Sequence, residues 1–165
     1  MPPPAVKTIR DLIYWQYSKI IAKSSGLEKN YGFIMSKFME LKKSKIKISD
    51  IVREDKKMLK ADKCCIYCNC IEDLTFDHII PLSRGGPDMI SNQVLACKKC
   101  NSSKSDKDIF EWYGLDKKDE IPRLVMGKYL KLVYDFHEQN GTLDRADLNK
   151  DGKLNVLDLG IFNIK

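Results

Sequence analysis

Apolar residues recur at helical spacing over the first third of the chain. Ile9, Leu12, Ile13, Tyr17, Ile20 and Ile21 predict a helix over Thr8–Lys23, which Gly26 closes. Phe33, Ile34, Phe38 and Leu41 form a second stripe, and Ser49-Asp50 suit the cap of a third helix through Ile51, Val52, Met58 and Leu59. The aromatics Tyr14, Trp15 and Tyr17 read as core packing. The pattern then changes. Leu74–Ile80 and Asn92–Ala96 read as short strands, separated by a loop that Pro81, Gly85, Gly86 and Pro87 enforce. A short polar helix follows, with Asn101, Lys104 and Asp108 on one face, and Ser105 or Asp106 suits the cap of a helix through Ile109, Phe110, Trp112 and Tyr113 ending at Gly114. The pattern leaves open whether these are one helix or two. A longer helix is expected from Pro122 to about Asn140, with Gly141 at its exit.

These elements predict an α+β protein, mainly helical around a small central core. The expected parts are a helical region at 1–62, a central core at 63–114, and a C-terminal helix with a polar loop at 115–165. There is no internal repeat and no long apolar run of membrane-span length. Met1-Pro2-Pro3-Pro4 lacks the apolar stretch of a signal peptide, which points to a cytoplasmic protein. Six cysteines in that compartment favour ligands or free thiols over disulfides. The net charge of +6 is modest, but lysines crowd Lys42–Lys63 and Lys98–Lys107 while the end is acidic. That distribution fits either a phosphate-backbone partner or a solvated helical surface.

The candidate chemistry is concentrated between Cys65 and Lys104. Two Cys-x-x-Cys pairs, Cys65/Cys68 and Cys97/Cys100, bracket the strand-loop-strand, a donor set and spacing that suit a structural zinc. Asn69 follows the first pair where the chain must reverse, and it tolerates the left-handed conformation better than most residues. Between the pairs lie Asp77 and His78, which as strand neighbours point to opposite faces, and then Asn92. A neutral imidazole near pH 7 suits a general base. His137, on the long helix, reads as structural.

The run Cys65-x-x-Cys68, Leu74-Thr-x-Asp77-His78-Ile-Ile-Pro81-Leu-Ser-Arg-Gly-Gly86, Asn92, Cys97-x-x-Cys100-Asn101-x-x-Lys104 resembles the zinc-containing branch of the HNH endonucleases, ββα-metal nucleases, in the variant ending on Asn. The resemblance implies a metal-dependent endonuclease that hydrolyses phosphodiester bonds of DNA. Within it, His78 is the general base, and Asp77 and Asn101 hold one Mg²⁺-type ion. Asn92 braces the loop and orients His78. Arg84 and Lys104 are candidates for phosphate contacts. The rival reading is a zinc-stabilised DNA-binding module without catalysis. An RNA nuclease is a third.

One further motif stands apart. Asp147, Asn149, Asp151, Lys153 through its carbonyl, and Asp158, with Gly152 between, follow the ligand spacing of a Ca²⁺ loop. The closing Asp makes it resemble half of a dockerin repeat. The bland alternative is an Asx-rich turn.

Overall fold

The computed structural model describes residues 1–45 and 63–162. The expected third helix, with half the lysines of the Lys42–Lys63 cluster, lies outside the described residues. Among those described, five helices and one two-stranded antiparallel sheet make an α+β protein: α1 (Ile9–Ser24), α2 (Tyr31–Lys42), β1 (Leu74–His78), β2 (Gln93–Cys97), α3 (Lys98–Lys104), α4 (Ile109–Tyr113) and α5 (Arg123–Gln139). No described helix is long and apolar enough to cross a membrane. The chain divides into two compact units, Met1–Val52 with Leu130–Lys165, and Arg53–Tyr129.

In the first unit, Thr8 caps α1 by accepting a hydrogen bond from the Asp11 amide, and Asn30 caps α2 in the same way from Phe33. Ile9, Leu12, Ile13 and Tyr17 are buried with Phe38 and Leu41 of α2. Trp15 meets the Phe38 ring edge-on at 5.8 Å, so these aromatics are packing residues, as the pattern suggested. The amides of Ile9 and Arg10 donate to the carbonyls of Arg145 and Leu143, both at 2.8 Å, which ties the start of α1 to the segment after α5. His137 is fully buried between Thr142 and the Leu159 carbonyl, in keeping with a structural role.

In the second unit, β1 and β2 pair from Leu74↔Cys97 to His78↔Gln93. A two-stranded ribbon is marginally stable alone, so its surroundings must hold it. The chain before β1 supplies part of that hold. The Ile66 amide donates to the Leu95 carbonyl of β2 at 2.9 Å, and the Lys98 amide to the Asp73 carbonyl at 2.9 Å. Asn69 has φ 62°, the left-handed turn expected of it.

Two helices follow β2, not one. Ser105 ends α3 at φ 52°, and this residue therefore does not start the next helix. The cap of α4 is Asp108, not Ser105 or Asp106: its carboxylate accepts from the Phe110 amide while Glu111 reaches back to the Asp108 amide. Asp108 thus leaves the face it was expected to share with Asn101 and Lys104. Its second oxygen accepts from the Tyr129 hydroxyl at 2.7 Å, anchoring α4 to the first part of α5.

Candidate metal centres and active site

The four cysteines of the two Cys-x-x-Cys pairs converge. Their sulfur atoms all lie within 4.8 Å of one another, the one such cluster of His, Cys, Asp or Glu ligand atoms among the described residues. Cys68 Sγ and Cys97 Sγ are 3.7 Å apart. Four sulfurs at about 2.3 Å from a central ion stand about 3.8 Å from each other in a tetrahedron, so the donor set fits zinc in chemistry and in size. Cys65 is fully buried, and burial raises its thiol pKa. The amides of Cys97, Cys68 and Tyr67 outweigh that and bring it down from 9.0 to about 7, whereas burial and hydrogen bonds with the neighbouring sulfurs push the Cys100 thiol up. Cys97 Sγ also caps α3 by accepting from the Cys100 amide at 3.4 Å. Cys64 and Cys70 stay outside the cluster as free thiols.

A cavity of about 200 Å³ is lined by Phe76, Asp77, His78, Asn101, Ser105 and Asp106, among others. Asp77 and His78 therefore border one cavity although they are strand neighbours. Asp77 is only 3% exposed, and both of its oxygens are engaged. Oδ2 accepts from the Tyr67 hydroxyl at 2.7 Å, and Oδ1 from the Lys104 ammonium at 3.2 Å. Burial, then the Asp77 charge, pushes the Tyr67 hydroxyl pKa up, so it remains a donor. Asn101 Nδ2 donates to the Phe76 carbonyl at 3.3 Å, which leaves the amide oxygen as the end available to a ligand.

His78 Nε2 lies 2.9 Å from Asp88 Oδ1 and 3.2 Å from Gln93 Nε2, which is itself 3.3 Å from Asp88 Oδ1. A carboxylate only accepts, so Nε2 carries the ring proton and the Gln93 amide donates to Asp88 as well. In that tautomer Nδ1 is the nitrogen that carries the lone pair. Asn92 is fully buried beneath the loop. Its side chain accepts from the Ile80 amide and donates to the Ile80 and Pro87 carbonyls at 2.8 and 2.9 Å. The Ile79 amide donates to the Asn92 carbonyl at 2.9 Å, continuing the ladder beyond His78.

The two expected phosphate contacts sit differently. Arg84 is part-exposed and paired through both terminal nitrogens with Glu111, at 3.0 and 2.7 Å. Lys104 is fully buried, with its ammonium on Asp77 and, at 2.7 Å, on the His78 carbonyl. Burial lowers its pKa, and the Asp77 charge works against that. The Lys104 side chain thus turns inward onto Asp77 and is not exposed for the phosphate contact expected of it. Tyr67, Asp88 and Gln93 were not anticipated from the sequence. Tyr67 lies inside the first Cys pair, a place that hinted at it; nothing in the spacing of Asp88 did.

In the C-terminal loop, Asp147 has φ 51° and accepts from the amides of Asp151 and Gly152, both at 2.9 Å. The buried Asp158 accepts from the amides of Asn149 and Asn155 at 3.1 and 2.8 Å. Lys153 donates its own amide to Asp151 at 2.8 Å. The carboxylates turn to backbone amides, and they do not form a cluster of the kind the cysteines form. The likeness to a dockerin repeat gains no support from this arrangement.

A comparison with protein-family models matches residues 65–107 to the family described as HNH endonuclease. No curated protein and no solved structure matches the chain. The matched segment begins at the first zinc-type cysteine and ends just beyond Lys104, the same stretch in which the sulfur cluster and the Asp77–His78 cavity are built. Residues 65–107 thus match the HNH endonuclease family and carry the four clustered cysteines of its branch with two Cys-x-x-Cys pairs, a match that suggests nuclease or DNA-binding function.

Proposed function

We propose that this domain hydrolyses phosphodiester bonds in DNA, with His78 as general base and a Mg²⁺-type ion held by Asp77 and Asn101. The observation that carries the reading is the single cavity bordered by all three side chains. The donor set fits such an ion, since each Asp77 oxygen keeps a further lone pair and Asn101 offers its amide oxygen. When bound, the ion supplies a charge sink for the scissile phosphate and the departing oxygen.

The protein's own groups do the rest. Asp88 fixes the His78 ring with its proton on Nε2, so that Nδ1 takes the proton of the attacking water. General-base help of this kind is worth about 10²–10⁴ in rate. Asn92 holds the strand end from which His78 projects. Arg84 exchanges its Glu111 partner for a backbone phosphate. Calcium in the Asp147–Asp158 loop is a separate proposal resting on the ligand spacing, and unchanged loop amide signals up to millimolar Ca²⁺ end it.

Supercoiled plasmid, zinc-loaded protein and metal-free buffer test the reading. Nicking is expected on addition of Mg²⁺ and is lost in His78→Ala with zinc content and fold unchanged. A variant that binds DNA and cuts at the wild-type rate overturns it; DNA binding without any cutting by the wild type leaves a binding module.

A further inference from the structure

Asp77 is held from two sides by groups of different origin. Lys104, from α3, takes Oδ1 and at the same time the His78 carbonyl. Tyr67, from the turn inside the first Cys pair, takes Oδ2. The Tyr67 ring is fixed in its turn. It meets Trp112 edge-on at 4.8 Å and lies 6.5 Å from Tyr113, while Cys65 and Cys68 on either side belong to the sulfur cluster. The hydroxyl therefore reaches Asp77 only when the sulfur turn has its folded shape.

A hydrogen bond to one carboxylate oxygen leaves that oxygen a second lone pair but removes the freedom of the group to rotate. With Lys104 on the other oxygen, the carboxylate plane is fixed before any ion arrives. A purely structural part for Tyr67 is the competing explanation, because a buried carboxylate needs donors whatever its use. The two differ in what the hydroxyl alone controls. Its ring packing suffices for structure, whereas ion affinity depends on the oxygen.

We infer that Tyr67 is a positioning residue for Asp77, through which the zinc-type sulfur turn sets the carboxylate that receives the divalent ion. The inference rests on the reading of Asp77 as an ion ligand. It makes the two metal centres interdependent: the sulfur turn is part of the support of the hard-ion site. Partners one step removed from a metal typically change affinity or activity by about 10–100-fold when lost.

The test uses the zinc-loaded full chain and Mn²⁺ as the probe, followed by paramagnetic broadening of the Asn101 side-chain amide, which lines this cavity. Tyr67→Phe keeps the ring and removes the oxygen. Its Mn²⁺ dissociation constant is expected to rise by about 10–100-fold with zinc content unchanged. Asp77→Asn serves as the control and is expected to lose binding. Wild-type affinity in Tyr67→Phe, with binding lost in Asp77→Asn, overturns the inference and leaves the site reading standing. Wild-type affinity in Asp77→Asn overturns the site reading and the inference with it. If Tyr67→Phe does not fold, 3-fluorotyrosine placed at position 67 supplies the answer. Its ¹⁹F signal is expected to shift on Mg²⁺ addition and not to shift in the Asp77→Asn background. A signal indifferent to Mg²⁺ in the otherwise wild-type chain overturns the inference.

Discussion

Asn92 and Ile80 pair through a side chain as two strand residues pair through backbones. Asn92 Oδ1 accepts from the Ile80 amide at 2.9 Å, and Nδ2 returns a bond to the Ile80 carbonyl at 2.8 Å. Gly86 packs so closely on this pair that a Cβ there would strike the Ile80 carbonyl and stand 2.8 Å from Asn92 Nδ2. Asn92→Ala strands buried polar groups of Ile80 and Pro87, each costing about 1–3 kcal/mol. Asn92→Asp keeps the first bond but sets an oxygen against two carbonyls, so it is expected to be no milder despite its shape. Urea unfolding of both variants should show the loss. Gly127→Ala, where a Cβ meets nothing within 4 Å, should leave the midpoint unchanged or raise it.

Removing zinc should undo the ribbon before it undoes any catalytic group. The sheet has only two strands, and the turn at Cys65 and the cap at Cys97 are both built on sulfur ligands. Structural zinc is worth about 10–16 kcal/mol in zinc-finger peptides, far more than a two-stranded sheet supplies. A strong chelator is expected to abolish the near-UV circular dichroism from Trp112 packed on Tyr67, and zinc to restore it. Persistence of that signal in metal-free protein refutes a structural zinc.

What the sequence disclosed follows from the range of the forces involved. Cysteine spacing, the left-handed turn at Asn69 and the exits at Gly114 and Gly141 are local and could be read directly. The break between α3 and α4 depends on a single backbone angle at Ser105, which composition leaves open. Within the site, Asp77, His78, Asn92 and Asn101 were expected, whereas Tyr67, Asp88, Gln93 and the directions of the side chains were not. Tyr67 reaches Asp77, Asp88 reaches His78 and Lys104 turns inward only because the ribbon, its loop and α3 pack in one way. The ties of Ile9 and Arg10 to Arg145 and Leu143 join distant parts of the chain, to which periodicity is blind.

The contrast between Arg84 and Lys104 gives opposite expectations for two cations beside one site. Arg84 and Glu111 are both part-exposed, so breaking the pair with Arg84→Ala should cost less than about 1 kcal/mol. If Arg84 contacts a phosphate, the same variant lowers the slope of log binding constant against log salt by about 1. Lys104→Met removes the buried partner of Asp77, a change worth about 3–5 kcal/mol of stability. DNA binding across a salt series, together with denaturant unfolding, separates the two. Equal salt slopes in Arg84→Ala and wild type exclude the phosphate contact.

His137 sets a pH dependence whose sign is fixed by its surroundings. Nε2 donates to the Leu159 carbonyl at 3.0 Å, Nδ1 lies 2.8 Å from the Thr142 hydroxyl, whose one proton also reaches the His137 carbonyl at 3.3 Å, and burial favours the neutral ring. Burial lowers its pKa below the ordinary 6.5, with the Leu159 carbonyl and the Asp158 charge opposing that only in part. As pH falls through about 6.5, the unfolded chain therefore takes up a proton that the folded chain refuses. Stability falls with acidification from that point, and above it this group contributes no pH dependence. Thermal unfolding at pH 7.5, 6.5 and 5.5 should show a decline in the wild type. In His137→Gln, which can still donate and accept, the midpoint starts lower but the decline over the same range should be shallower. Parallel declines in the two proteins would place the acid-sensitive group elsewhere in the chain.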